Sequence, residues 1–141
     1  MAANSNARGL IASGNIVPST FLKLSSAADF TAVGTTANSD LIIGVAQECS
    51  DFAPGVGAPG NIPAQGSLYA ATTGEGIGVY FQDDVCQLVA GSTFNAGTAL
   101  TSDSAGRGIP ASTGNRVGAI ALETSTASGN LVSVQVKCFT Y

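Results

Sequence analysis

Apolar and polar residues alternate one for one near the end of the chain. Val132, Val134, Val136 and Cys138 fall on one side of residues 131–139, and Ser133, Gln135 and Lys137 on the other. A period of two is that of a half-buried β-strand, whose successive side chains point to opposite faces. The preceding Ala127-Ser128-Gly129-Asn130 is a turn sequence, because Gly and Asn accept backbone angles that reverse the chain. Residues 20–24 place Leu22 and Leu24 on one face and Lys23 on the other. Residues 40–46 carry the run Leu41-Ile42-Ile43-Gly44-Val45-Ala46, which reads as a short buried strand. Residues 77–82 read as a strand buried on both faces, and residues 85–90 as another, joined to it through Asp83-Asp84. No window repeats apolar residues at i, i+3, i+4 and i+7 over three turns, and Gly or a β-branched residue interrupts almost every candidate helix.

Two regions do not read as strands. Residues 1–13 are small and polar apart from Leu10-Ile11, and are expected to form a flexible arm. Residues 52–66 carry Pro54, Pro59 and Pro63 among Gly55, Gly57, Gly60 and Gly66. Proline removes ladder donors and glycine adds backbone entropy, so this stretch is expected to be a long surface loop. Such loops tend to be contact surfaces. The pattern as a whole predicts an all-β fold, a small β-barrel or sandwich, with an arm over 1–13 and a β-rich domain over 14–141. A chain of 141 residues suffices for one domain, or for two very small lobes that share a core.

One pattern occurs twice. Thr20-Phe21-Leu22 is followed by Asp29, Gly34 and Ile43-Gly44-Val45-Ala46-Gln47-Glu48; Thr98-Ala99-Leu100 is followed by Asp103, Gly106 and Gly118-Ala119-Ile120-Ala121-Leu122-Glu123. Each copy reads as a strand, a polar turn and a second strand ending in an apolar pair and a Glu. A duplicated hairpin-like unit suits a small barrel with pseudo-symmetry.

Composition narrows the chemistry. The chain has no His, which excludes Ser-His-Asp triads, Cys-His dyads and His-ligated metals. Its five cations, Arg8, Lys23, Arg107, Arg116 and Lys137, are scattered, and the net charge is −4, so no footprint for nucleic acid is present. Only 10% of residues are charged while 45% are hydrophobic, the reverse of a disordered chain. The amino terminus lacks the apolar run of a secretory signal, and no stretch offers the roughly 20 mostly apolar residues of a membrane span. Synthesis in a cytoplasm and no membrane partner are therefore expected. Cys49, Cys86 and Cys138 form no CxxC and read as buried thiols. Gly74-Glu75-Gly76-Ile77-Gly78 has the spacing of a phosphate loop, but a strand rather than a helix follows it, so it reads as a glycine turn. Asp83-Asp84 reads as a turn cap, since neighbouring strand residues face opposite ways. Glu48 and Glu123, the carboxylates in equivalent places, read as solvated strand ends rather than a glycosidase pair. No enzymatic activity, cofactor or metal is expected. The abundant Ser, Thr, Asn and Gly fit closely to a large partner without burying unpaired charge, which points to a protein packed against other subunits.

The run Asn15-Ile16-Val17-Pro18-Ser19-Thr20-Phe21-Leu22-Lys23-Leu24, with Ile43-Gly44-Val45-Ala46 after it, is similar to the capsid decoration, or cement, proteins of tailed bacteriophages. So are Gly97-Thr98-Ala99-Leu100-Thr101-Ser102-Asp103, Val117-Gly118-Ala119-Ile120-Ala121-Leu122-Glu123 and Gly129-Asn130-Leu131-Val132-Ser133-Val134. The resemblance covers residues 14–136. It implies a virion protein on the outer surface of an icosahedral head, commonly a homotrimer, whose partner is the major capsid protein and whose amino-terminal arm orders on the shell. Arg8, Leu10 and Ile11 are the expected capsid contacts on that arm. The loop over 52–66 departs from the shortest members of the family. Another structural virion part, such as a tail or fibre component, is the alternative reading, and a carbohydrate-binding adhesin a third; the 6% aromatic content argues against the last.

Overall fold

Strands form where short apolar or β-branched segments lie between turns. The computed structural model describes residues 10–47 and 71–141. In chain order these carry β1 (Leu10–Ala12), β2 (Phe21–Leu24), β3 (Thr31–Gly34), β4 (Gly44–Ala46), β5 (Gly76–Ile77), β6 (Val79–Tyr80), β7 (Val85–Val89), β8 (Ala99–Ser102), β9 (Gly108–Pro110), β10 (Arg116–Ala121) and β11 (Leu131–Thr140). No helix occurs among the described residues, and the fold is all-β as the pattern predicts.

The first sheet has the order β5-β1-β3-β2-β4-β6. Its two end strands are successive halves of one segment, residues 76–80, so the sheet curls round to a nearly closed barrel and leaves little open edge. The second sheet has the order β7-β11-β10-β8-β9. Its ends meet where Ala90, just past β7, bridges in parallel to Gly108 of β9, and where Gly91 N donates to Gly108 O at 2.7 Å. Buried Ala12, Ile16, Leu22, Ala32, Ala46 and Ile77 cluster in the first barrel. Leu88, Ala90, Phe94, Leu100, Ala121 and Val132 cluster in the second.

The two barrels are copies of one another strand by strand. Leu10 pairs with Ile77 as Leu88 pairs with Val132, and Ala12 with Ala32 as Ala90 with Gly108. Leu22 pairs with Gly34 and Gly44, as Leu100 pairs with Pro110 and Ala119. Ala46 pairs with Val79 as Ala121 pairs with Val134. Residues 10–25, 31–35, 43–47 and 74–80 thus correspond to 88–103, 107–111, 118–122 and 129–135. Isolated hydrogen bonds repeat as well: Gln47 N donates to Gly78 O, and Leu122 N to Ser133 O, both at 2.9 Å. The ends of the sequence echo are confirmed, but its middle slips. Gly106 stands opposite Phe30 rather than Gly34, and Asp103 opposite Ser25 rather than Asp29. Between the matched strands lies a further strand, β3 or β9, which no alternation announces because it is only four or three residues long.

One apolar layer joins the copies. Phe21, Ile42 and Val45 of the first barrel belong to the core cluster of the second. Phe21 is fully buried, and its ring lies where Gly118 has no side chain: a Cβ there would come within 2.6 Å of Phe21 Cε1. Around this contact Phe21 N donates to Gly106 O and Val89 N to Ser19 O, both at 2.8 Å, and Arg116 N to Asn38 O at 2.9 Å. The buried hydroxyls of Thr35 and Ser102 meet at 2.6 Å.

Three expectations need correction. Of residues 40–46, only Gly44–Ala46 join a ladder. Asp40 bends the chain instead, because its carboxylate accepts the N–H groups of Thr36 (2.8 Å) and Ala37 (3.2 Å) and pairs with Lys23 Nζ at 3.0 Å. The strand expected over 77–82 breaks at Gly78, against which the Gln47 side chain packs. There the segment changes neighbour from β1 to β4. Lastly, Leu10–Ala12, expected in the flexible arm, form β1 between β3 and β5, and Ala12 is buried. Residues 1–9 lie outside the described residues.

Candidate interaction surface

The groups singled out for chemistry are occupied in turns and strand ends. Gly74 turns the chain at φ 87°, Glu75 N donates to Thr72 O at 3.0 Å, and the Glu75 carboxylate accepts Thr72 N at 2.7 Å. The strand β5 follows, so no helix amides face this turn. Asp83 has φ 76°, its carboxylate pairs with the Lys137 ammonium, and Asp84 Oδ2 accepts Phe81 N at 2.9 Å. No group of three or more Cys, Asp or Glu is placed to hold a metal among the described residues. Glu123 Oε2 accepts Ser133 N at 2.7 Å, and hydrogen bonding to Ser133 holds its carboxyl below the usual range. Asp40 also has a lowered pKa: burial opposes its charge, but the Thr36 N–H, the Lys23 ammonium and the Ala37 N–H outweigh that. Burial, helped by the Asp84 carboxylate, pushes the Cys86 thiol up to about 11, and burial raises Cys138 as well. Both thiols therefore stay protonated at neutral pH and pack as small apolar groups. Arg8, Glu48, Cys49 and the loop over 52–66 lie outside the described residues. Leu10 and Ile11 stand in β1, where Leu10 packs against the core of the first barrel and Ile11 is exposed.

What the fold does bring together is an apolar mouth on the first barrel. Five strand ends converge there. Leu10 opens β1, Leu24 closes β2, Phe30 precedes β3, Ile43 precedes β4 and Phe81 follows β6. They line a groove of about 660 Å³, in which Asp29 is the one charged lining residue among the described residues. Leu24 is 54% exposed, Phe30 48% and Phe81 48%. Phe30 adopts φ 52°, the left-handed region that costs a residue with a Cβ about 1–2 kcal/mol. Sequence reasoning missed this site because each residue was assigned separately to a strand or a turn. The echo held part of the signal, since it aligns Leu24 with Ser102 and Ile43 with Gly118, but it slips at Phe30 and does not reach Leu10 or Phe81.

No family model and no curated protein matches this sequence. Among solved structures, the chain is similar to the base of the head fibre of bacteriophage phi29, the N base of gp8.5. The two are 19% identical, the match covers 92% of each chain, and the TM-score is 0.55. The likeness is one of fold, and it extends over both barrels.

Proposed function

We propose that this chain is a structural protein of a phage virion, seated on the outer surface of the head, where it binds the major capsid protein and stabilises contacts between capsomers. The observation that carries the reading is the shared fold with a head-fibre base over nearly the whole of both chains. Two features of the chain support it. A histidine-free sequence with 10% charged residues has little to offer catalysis and much to offer close packing. Its sequence also resembles the phage decoration proteins. Stabilisation by such a protein is mass action: a molecule that binds only the assembled lattice favours it by RT ln(1 + [L]/Kd) per site, and a homotrimer adds avidity. A second reading, that the chain is the base of a fibre rather than a free-standing cement protein, is favoured by the particular neighbour that shares its fold.

The test is to add the purified protein to heads of the encoding phage that lack it, then to sediment and image them by cryo-electron microscopy. Density on the outer face of the head, and heads that survive higher temperature, are expected. Density confined to tails, or no co-sedimentation at micromolar protein, would overturn the proposal. Projections rising from the bound density in the native virion would favour the fibre base.

A further inference from the structure

The duplication shows what covers a barrel mouth in this fold. The positions equivalent to Leu24, Phe30, Ile43 and Phe81 in the second barrel are Ser102, Gly106, Gly118 and Val136. That mouth is closed by the first barrel. Phe21 and Ile42 pack on Gly118, Thr20 packs on Gly106, and Thr35 bonds to Ser102. Ser102 and Val136 are buried there, whereas Leu24 and Phe81 stand half exposed. Among the described residues, the same mouth is thus an occupied seat on one copy and a half-exposed apolar groove on the other.

Of the residues that fill the seat, Thr20, Phe21 and Thr35 have Thr98, Ala99 and Ala111 as counterparts on the second barrel, all partly exposed, as is Ile120, the counterpart of Val45. Val117, at the place of Ile42, is buried. The sizes are exchanged across the contact. Inside the chain a large Phe21 meets a small Gly118; in a repeat of the same contact between chains, a small Ala99 would meet a large Ile43. Exchanges that keep the total volume are those a packed interface tolerates. The left-handed Phe30 fits the same account, because its equivalent Gly106 holds that conformation, at φ 79°, with no Cβ cost.

We infer that the apolar mouth of the first barrel is the docking site for the second barrel of another copy of this chain, in a head-to-tail contact that repeats the one between the two barrels. Such a contact is heterologous: each copy offers one face and receives on a different one, so it builds rings or, where the rotation does not close, filaments. The inference stands on the duplication and not on the capsid reading.

Sedimentation of the full-length protein tests it. The wild type is expected to run as an oligomer at tens of micromolar. Leu24→Arg, with Phe81→Arg as a second variant of the groove, is expected to run as a single chain. So is Ala99→Arg, with Thr98→Arg as its second variant. Unchanged circular dichroism and melting would show that the variants are folded. Mixing Leu24→Arg with Ala99→Arg leaves one intact face of each kind, and is expected to yield a species of two chains. A monomeric wild type, or a groove variant that keeps the wild-type mass, would overturn the inference. So would an Ala99→Arg or Thr98→Arg oligomer of wild-type mass, since the groove would then be meeting something other than that face.

Discussion

At the scale of single residues, the molecule depends on a large side chain placed against an absent one. Phe21 is fully buried between the barrels, and Gly118 leaves room for its ring. Removing most of a buried aromatic side chain costs about 3–5 kcal/mol, and adding a methyl where no space exists costs about 1–3 kcal/mol. Phe21→Ala and Gly118→Ala are each expected to lower stability within those ranges in chemical denaturation. The double variant should lose less than their sum, because the added methyl enters the space the ring has left. Strict additivity would mean that the two residues are not in energetic contact. Neither role is visible in the sequence alone: Phe21 reads as one more strand residue, and Gly118 as one more glycine among 18.

At the scale of elements, legibility followed length and alternation. The ten-residue β11 and the five-residue β7 were plain, because a period of two repeated over them. Strands β3 and β9 were not, since three or four residues around Gly34 or Pro110 carry no pattern. Their place comes from pairing with neighbours far along the chain. The apolar mouth was illegible for the same reason, as it consists of ends of five segments that only closure of the barrel brings side by side. The strand β1 illustrates the difference in consequence. It lies between β3 and β5 and buries Ala12, so it belongs to the barrel and not to an arm. Deletion of residues 1–9 is expected to leave the melting temperature within a few degrees of the full chain. Deletion of residues 1–13 is expected to expose the edges of β3 and β5, with loss of cooperative melting or aggregation. Equal melting curves for the two truncations would contradict the pairing.

At the scale of the whole molecule, the two barrels are joined by packing as much as by chain connectivity. The first contributes Phe21, Ile42 and Val45 to the core of the second, and backbone and hydroxyl hydrogen bonds cross the same layer. Neither barrel can lose its fold without exposing part of the other's interior. A single transition is therefore expected in calorimetry, with van't Hoff and calorimetric enthalpies in agreement; two separate transitions would mean that the layer is weaker than its burial implies.

The duplication also bears on the stretch between Gln47 and Ala71. In the second copy the equivalent step, from Leu122 to the Ser125 that pairs with Phe94, needs only Glu123 and Thr124. In the first copy the same two anchor points, Gln47 bonded to Gly78 and Ala71 paired with Ile16, are linked by residues 48–70. Closing the barrel does not require those extra residues, because its twin closes without them. A chain in which a two-residue link replaces residues 48–70 is therefore expected to keep the all-β circular dichroism spectrum and a cooperative melting transition; loss of either would mean that the two copies do not close alike.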